Sequence, residues 1–418
     1  MKNKKSRRSQ KKKSNNLKNY ILALISIVII GIAIYSLTVL LNKTPNITSH
    51  YNENTNSDNS KIFSITSVGN IIVHDAQIAG AKTTNGKYNF DKSFEYVKKY
   101  ITDSNLSIGV FEGNFNGGKY EGYPTFNTPD EFLNSLKNTG FDVINYSSNH
   151  IIDKGISGVR NTTTKSTNSG LINLGVKNTN TDKDYIIYNL DGHKVGLFAY
   201  TYKTGENSIN SIPIPKEVKP LINTFSYDNL DMLYSSVANS IQEMKSDGVE
   251  FIIGSFHWGD EYKTKENKFQ KEIAKNMNDL GVDIVLGSHP HVIQPYEILT
   301  NSKGKSTFVA YSQGNFLSNQ CYEEIQNYLS EDGLMLNFKL GLKDNKLYLK
   351  NYSIIPTWTY REKRKDNLYT HRIVPLEEIQ NNKNPYNLPE AAYTRALRSL
   401  NDTKKIIGED ALGEKTFP

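Results

Sequence analysis

Cysteine is almost absent from this 418-residue sequence: Cys321 is the only one, so no disulfide can form within the chain. Tryptophan is also scarce, with two residues, and no segment repeats at a fixed period. A fold without disulfides is held by its hydrophobic core or by bound metal. Hydrophobic residues make up 37% of the chain, and 26 tyrosines and 17 phenylalanines are among them. This composition excludes wholesale disorder and predicts a substantial core.

Acidic residues are missing from the first twenty positions, which carry nine basic residues. The net charge of +7 therefore comes from this arm, and the remainder of the chain is near neutral. Strongly basic surfaces are what attract nucleic acids. The charge distribution gives no indication of a nucleic-acid partner.

An uncharged and mostly aliphatic segment follows the arm at residues 21–41. About 20 apolar residues suffice to cross a bilayer, and flanking positive charge stays in the cytoplasm. A cleaved signal peptide is the alternative, but its apolar region is shorter, roughly 7–15 residues, and precedes a small-x-small site. We therefore predict a cytoplasmic arm at 1–20, a transmembrane signal anchor at 21–42 and a polar stalk at 43–60. The folded domain then lies outside the cell, on a single-pass membrane protein.

The folded part begins near residue 61 and alternates strand-like runs with helical segments, which predicts a mainly parallel sheet. Two hairpins, at 185–190/195–199 and 334–340/347–354, add antiparallel pairing. Helices are predicted from Thr128 and Pro129 to Gly140, at 226–247, at 267–280 and at 389–407. We predict an α/β fold in which two mixed sheets pack face to face with helices outside. The main domain spans 61–355, and an extension with one helix spans 356–418.

Four of the eight histidines lie in three polar clusters, each directly after an apolar, strand-like run. Parallel strands bring their carboxyl ends to one edge of a sheet, and imidazole is the commonest metal-binding side chain. The alternative is a set of solvated loops that hold unrelated histidines. We predict a divalent metal site whose ligands include His257, His289 and His291.

The cluster around Asn149 and His150 predicts chemistry beside that metal. The amide oxygen of Asn149 is a candidate metal ligand, and His150 is a candidate donor of a proton to a departing oxygen. Asp153 is a second candidate catalytic residue, although it also suits the first turn of the next helix. A turn that uses Asn149 and His150 as caps is the alternative.

Acids and amides after two other strands extend the candidate site. Glu112 is a predicted carboxylate ligand. Asn70 stands where a metal-binding acid is expected, and His74 or Asp75 could compensate for it. Trp258 is predicted to form a wall of the pocket, with Asp260 and Glu261 as partners that orient imidazoles.

The order of these motifs resembles the CapA family of capsule or poly-γ-glutamate biosynthesis proteins, which are related to calcineurin-like metallophosphoesterases. The motifs are Gly69-Asn70-Ile71-Ile72-Val73-His74, Phe111-Glu112-Gly113, Ser148-Asn149-His150, His257-Trp258-Gly259, Gly287-Ser288-His289-Pro290-His291 and Tyr311-Ser312-Gln313-Gly314-Asn315-Phe316.

The resemblance implies a four-layer αββα sandwich with a two-metal centre. It places Glu112, Asn149, His257, His289 and His291 at ligand positions, His150 on the acid side, and Asn315 in the pocket. Asn70 departs from the family's usual aspartate, so one of the two metal positions is expected to be weak or empty.

Two functional hypotheses follow. The first is a metal-dependent phosphoesterase acting on a cell-envelope substrate. The second, which we favour, is a component in synthesis or export of a capsular anionic polymer such as poly-γ-glutamate, working with a membrane synthase complex. A structural metal fold without chemistry is a third reading. One or two divalent ions are predicted as cofactors, and the sequence does not distinguish Mn, Zn, Fe and Mg.

Overall fold

The computed structural model describes residues 61–379 and 384–418. The predicted basic arm, transmembrane anchor and stalk lie outside these residues. Within them, no helix combines the length and the apolar character that a membrane crossing requires.

The strands of the described part are, in chain order, β1 (Phe63–Ile72), β2 (Leu106–Glu112), β3 (Val143–Asn145), β4 (Ile172–Leu174), β5 (Tyr185–Leu190), β6 (His193–Tyr202), β7 (Ser208–Ile209), β8 (Ile212–Pro213), β9 (Thr224–Phe225), β10 (Phe251–His257), β11 (Ile284–Ser288), β12 (Tyr296–Thr300), β13 (Ser306–Ala310), β14 (Asn315–Leu317), β15 (Asp332–Lys343), β16 (Lys346–Lys363), β17 (Tyr369–Pro375) and β18 (Gly413–Thr416). The α-helices are α1 (Asp75–Ala81), α2 (Lys98–Thr102), α3 (Glu131–Thr139), α4 (Gly155–Asn168), α5 (Leu230–Ser246), α6 (Lys268–Leu280), α7 (Tyr322–Ile325) and α8 (Glu390–Ile407).

Two large mixed sheets organise the fold. The first has the order β17-β16-β15-β1-β2-β3-β4, with β14 on β1 and β18 on β16. The second has the order β12-β13-β11-β10-β6-β5, with β9 on β6. The strands β1 to β4 run parallel, as do β6, β10, β11 and β13. Each sheet therefore has one edge at which several carboxyl ends meet.

Alternating side chains place one core between the sheets and one on each outer face. Ile65 and Ile108 of the first sheet share a buried cluster with Leu197 and Ile253 of the second. Helices α1 to α4 cover the far face of the first sheet, and α5 and α6 cover that of the second. The predicted mixed α/β fold is confirmed, and its layers run helix, sheet, sheet, helix.

Local signals place several helix ends where the sequence predicts them. Asn267 caps α6 in a reciprocal capping box with Gln270, and Gly281 ends this helix in a left-handed conformation at φ +89°. Gly140 ends α3 in the same way, at φ +108°. The predicted start of α3 at Thr128 and Pro129 is early, because the helix begins at Glu131.

The C-terminal extension is continuous with the first sheet. Residue 355, its predicted boundary, falls inside β16, and β17 and β18 both pair with that strand. The predicted helix at 389–407 is present as α8, from Glu390 to Ile407, and packs Ala396 and Leu400 against Trp358. Polar residues at exposed positions obscured β17 and the part of β16 beyond the predicted run at 347–354.

Candidate metal centre

The polar clusters singled out in the sequence converge at the carboxyl ends of strands from both sheets. Atomic contacts join them across the two sheets: Glu112 Oε1 lies 3.2 Å from His257 Nε2, and Asn70 Nδ2 lies 3.3 Å from His291 Nδ1. The residues brought together are Asn70 in β1, Glu112 at the end of β2, Asn149 after β3, His257 at the end of β10, and His289 and His291 after β11.

Glu112, His289 and His291 form a buried group in which each residue offers a ligand atom within 4.8 Å of the others. Both carboxylate oxygens of Glu112 and the Nδ1 atom of His289 lack hydrogen-bond partners among the residues described. Leaving a buried polar atom unpaired costs ~1–3 kcal/mol. One carboxylate and two imidazoles form a donor set that suits Zn, Mn or Fe. The residues present therefore fit a divalent metal ion.

His257 and Asn149 adjoin this group. Asn149 Oδ1 lies 2.9 Å from His257 Nε2, so both atoms face the region beside Glu112. The other ring nitrogen of His257, Nδ1, lies 3.0 Å from Ser288 Oγ. Without a metal, Nε2–H is the donor that Asn149 Oδ1 accepts, because an amide oxygen cannot donate. With an ion bound, Ser288 Oγ would accept from Nδ1–H and the Nε2 lone pair would be directed to the centre.

His291 has two neighbours at one nitrogen. Its Nδ1 lies 3.2 Å from Asn315 Oδ1 and 3.3 Å from Asn70 Nδ2. The Nε2 atom is on the side of Glu112, 4.0 Å from Oε2. Asn315, predicted in the pocket, therefore orients an imidazole.

The loop that carries the two histidines has a strained backbone. His289 and His291 have positive φ angles, +97° and +59°. Such conformations cost of order 1–3 kcal/mol each in non-glycine residues and cluster at functional sites. Contacts in the surrounding structure offset this cost and hold both imidazoles beside Glu112.

His150 is oriented by Asp153 beside the centre. Its Nδ1 lies 2.9 Å from Asp153 Oδ2, which also accepts from the backbone N–H of Phe126 at 2.8 Å. The His150 ring packs edge-on against Phe126, with centroids 4.7 Å apart. Asp153 therefore fixes the orientation of the His150 ring. Its Nε2 atom is the ring nitrogen that remains to carry a proton at the site.

His74 and Asp75 do not join the metal group. His74 packs edge-on against Phe126, with ring centroids 5.2 Å apart, and its Nδ1 lies 3.3 Å from the N–H of Asn319. Asp75 Oδ1 accepts from the N–H of Gly122 at 2.8 Å. Neither residue compensates for the missing aspartate at position 70.

Trp258 is not a wall of the pocket. Successive residues of a strand point to opposite faces, so Trp258 points away from the side to which His257 points. It stacks on Phe256 in the helix-covered core and donates from Nε1 to the carbonyl oxygen of Tyr311 at 2.8 Å.

Two residues that contact the centre were not among the predicted site residues. Tyr202, at the end of β6, places its hydroxyl 3.1 Å from His289 Nε2. Ser288 positions His257, and its place directly before His289 was the one available signal. Tyr202 could not be found from the sequence, because only the parallel pairing of β6 with β10 brings it to this edge.

Burial controls the charge of the site. It lowers the pKa of His257 and His289 well below the usual range, helped by neighbouring imidazoles, and lowers the pKa of His291 to about 3. Neutral imidazole is the form that binds metal. Burial also raises the pKa of Glu112 well above its usual range, and the charges of Glu261 and Asp153 add to this rise. A bound cation would reverse that shift.

Comparisons with known proteins agree with the motif order. The family model for the bacterial capsule synthesis protein PGA_cap matches residues 64–320. The chain is 26% identical to the capsule biosynthesis protein CapA of Bacillus anthracis over 66% of each chain. It is 25% identical to the PGA biosynthesis protein CapA of Bacillus subtilis (strain 168), over 58% of this chain and 62% of that one. The chain thus spans just under two thirds of the length of these relatives.

Among solved structures, the calcineurin-like phosphoesterase YfkN from Bacillus subtilis aligns with a TM-score of 0.37 and 14% identity, over 83% of this chain and 98% of that one. The family match covers more than half of the chain. It includes all the strand ends that form the centre, from Asn70 in β1 to Asn315 in β14. The chain belongs to the bacterial capsule synthesis protein PGA_cap family.

Proposed function

We propose that this protein is a membrane-anchored, extracellular component in the synthesis or export of a capsular anionic polymer such as poly-γ-glutamate, and that it handles the polymer at a divalent-metal site. Family membership and the relatives' names support the polymer. The apolar segment at 21–41 supports the anchor. The observation that carries the metal site is the buried Glu112, His289 and His291 group with its unpartnered donor atoms.

Glu112, His289 and His291 would hold the ion, with Asn149 and His257 beside them. A bound divalent cation supplies positive charge that attracts carboxylate or phosphate oxygens. The histidines of the site do not supply such charge, because burial lowers their pKa and keeps the imidazoles neutral. Glu112 supplies no positive charge either, so an anionic polymer segment has no attracting group at this edge without the cation.

A phosphoesterase acting on the cell envelope is the second candidate, and one observation favours it. His150 is held at Nδ1 by buried Asp153, the arrangement expected of a general acid that gives its proton from Nε2 to a leaving oxygen. A role limited to binding the polymer does not require this pair.

The test compares purified full-length protein in detergent with its Glu112→Gln variant. Metal content is measured by mass spectrometry, binding of a γ-linked glutamate oligomer by calorimetry, and turnover with an aryl phosphoester. Metal-dependent oligomer binding without turnover supports the polymer role. Turnover that both Glu112→Gln and His150→Asn abolish supports the phosphoesterase. A wild-type protein that binds no metal contradicts both.

A further inference from the structure

The Nδ1 atom of His291 lies between an amide that donates and an amide that accepts. It is 3.3 Å from Asn70 Nδ2 and 3.2 Å from Asn315 Oδ1. Burial lowers the pKa of His291 to about 3, so near neutral pH only one ring nitrogen carries a proton. A proton on Nδ1 pairs with Asn315 and leaves the Nε2 lone pair on the side of Glu112, 4.0 Å from Oε2. A proton on Nε2 pairs Nδ1 with Asn70 and removes from Nε2 the lone pair that an ion requires.

The amide of Asn70 is oriented by a backbone donor. Its Oδ1 lies 3.4 Å from the backbone N–H of His289, and the side chain is fully buried. Because that N–H only donates, the amide oxygen faces His289 and the amide NH₂ group faces His291. Asn70 therefore favours the tautomer of His291 that carries its proton on Nε2.

The amide of Asn315 is oriented by two acceptors. Its Nδ2 donates to the carbonyl oxygen of Ser330 at 2.9 Å and to Gln320 Oε1 at 3.0 Å. Because a backbone carbonyl only accepts, the NH₂ group points to Ser330 and Gln320, and the amide oxygen points to His291. Asn315 therefore favours the tautomer of His291 that carries its proton on Nδ1.

Gln320 is itself held by the segment that follows β14. Its backbone N–H donates to Ser318 Oγ at 3.0 Å, and its carbonyl oxygen accepts from Ser330 Oγ at 3.0 Å. Glu331, the residue after Ser330, accepts from the backbone N–H of Tyr322 at 2.8 Å. Ser330 lies beyond the residues 64–320 that the family model matches. The C-terminal part of the chain thus supports a side chain of the metal centre.

We propose that Gln320 is a positioning residue, which holds the Asn315 amide so that His291 keeps its proton on Nδ1 and directs its Nε2 lone pair to the metal position. The inference rests on the proposed function, because the ion is the group that this lone pair serves. A carboxylate at position 70 would also accept from Nδ1–H, whereas the asparagine donates. The tautomer that can bind metal therefore depends on Asn315 and on the residues that orient it.

The test uses full-length protein in detergent, with isotope-labelled histidine and with metal removed by chelation. The NMR chemical shifts of the ring nitrogens distinguish a protonated nitrogen from a bare one, and the spectrum of His291→Gln identifies the His291 signals. Metal affinity is measured on the same proteins by competition with a metal-binding dye.

Gln320→Leu removes the acceptor at nearly constant size. It is expected to move part of the His291 population to the Nε2–H tautomer and to weaken metal binding roughly fivefold, as loss of one hydrogen bond does. Gln320→Glu keeps an acceptor at the same position and should retain the wild-type tautomer. The control, Gln242→Leu, removes an exposed amide from α5 and should change neither measurement.

The tautomer of the metal-free protein separates this inference from the proposed function. A bare Nδ1 in the wild type, the same tautomer in Gln320→Leu, or an equal shift in Gln320→Glu overturns the role of Gln320 and leaves the metal site standing. Weaker metal binding in Gln320→Leu with an unchanged tautomer also overturns it, because that result means a merely structural role. A shift in Gln320→Leu that Gln320→Glu does not show supports the inference, even when the wild type takes up no metal and the proposed function fails.

Discussion

Asn70 lies between the backbone N–H of His289 and the Nδ1 atom of His291. Its Oδ1 lies 3.4 Å from the N–H of His289, and its Nδ2 lies 3.3 Å from His291 Nδ1. If His291 offers Nε2 to a metal, its Nδ1 carries a proton for Asn315 Oδ1, and the Asn70 amide then faces another donor. A carboxylate would accept from both. We therefore expect the asparagine to weaken metal binding on the His291 side.

Asn70→Asp is expected to tighten metal binding roughly tenfold, because an anionic ligand replaces a neutral one. The dissociation constant is measured by competition with a metal-binding dye, in parallel with Asn70→Ala, which removes the amide without adding charge. The alanine variant should bind no more tightly than the wild type. Equal affinity of the aspartate variant and the wild type would contradict this account.

His371 makes stability depend on pH. Burial lowers its pKa to about 3, with Arg361 and His74 adding to the effect, whereas an unfolded histidine titrates near ~6.5. Below that pKa the unfolded chain binds a proton at this histidine, and the folded protein does not. The free energy of unfolding therefore falls as the pH drops from the unfolded pKa toward the folded one. The loss is up to about 2 kcal/mol by pH 5.

Urea unfolding at pH 7 and pH 5 checks this expectation, with His371→Phe as the comparison. The variant should lose less stability between the two pH values than the wild type does. Parallel losses in the two proteins would show that other groups control the acid sensitivity.

At the scale of elements, α8 is attached to the body through a buried acid. Glu331 is 2% exposed and accepts from Trp358 Nε1 at 2.9 Å and from Arg395 Nε at 2.8 Å. Glu331→Gln leaves Arg395 without its buried counter-charge and is expected to cost about 3–5 kcal/mol. Glu323→Gln removes a half-exposed acid from the same arginine and should cost under about 1 kcal/mol.

Denaturant unfolding of the two variants gives the difference in free energy. Equal costs would mean that Glu331 contributes no more than a surface ion pair, and that apolar packing alone holds α8.

The end of β11 is fixed by a close backbone contact at Gly287. A Cβ there would lie 2.0 Å from the carbonyl oxygen of Tyr311. Gly287→Ala is therefore expected to displace the loop that carries His289 and His291, to cost about 1–3 kcal/mol and to reduce bound metal. Gly304→Ala, at φ +78° with open space around it, should cost about 1 kcal/mol and keep its metal. Metal content and thermal midpoint of each variant are the measurements, and full metal occupancy in Gly287→Ala would contradict the assignment.

At the scale of the whole molecule, the basic arm and the apolar segment predict which side of the membrane holds the domain. Protease added to intact cells of a Gram-positive laboratory host should digest a C-terminally tagged chain. A variant without residues 1–42 should stay protected until lysis. Immunoblotting of the tag reports both, and protection of the full chain in intact cells would contradict an extracellular domain.

Local patterns predicted much of the fold. The strand at Tyr185–Leu190 has the expected bounds, because apolar runs and turn residues act over a few positions. The sequence did not predict the strand β17, because it begins with the hydroxyl-bearing residues Tyr369 and Thr370. Its pairing with β16 is a long-range property that no short window contains.

Local sequence patterns were enough to predict the alternation of strands and helices, the family, and the residue types gathered in Glu112, Asn149, His257, His289 and His291. The contacts between atoms became visible only in the folded molecule: Tyr202 and Ser288 hold imidazoles, and Trp258 belongs to the core. The reason is physical. Composition and spacing set local conformation, whereas contacts between distant strands depend on how two sheets pack, which the whole core determines.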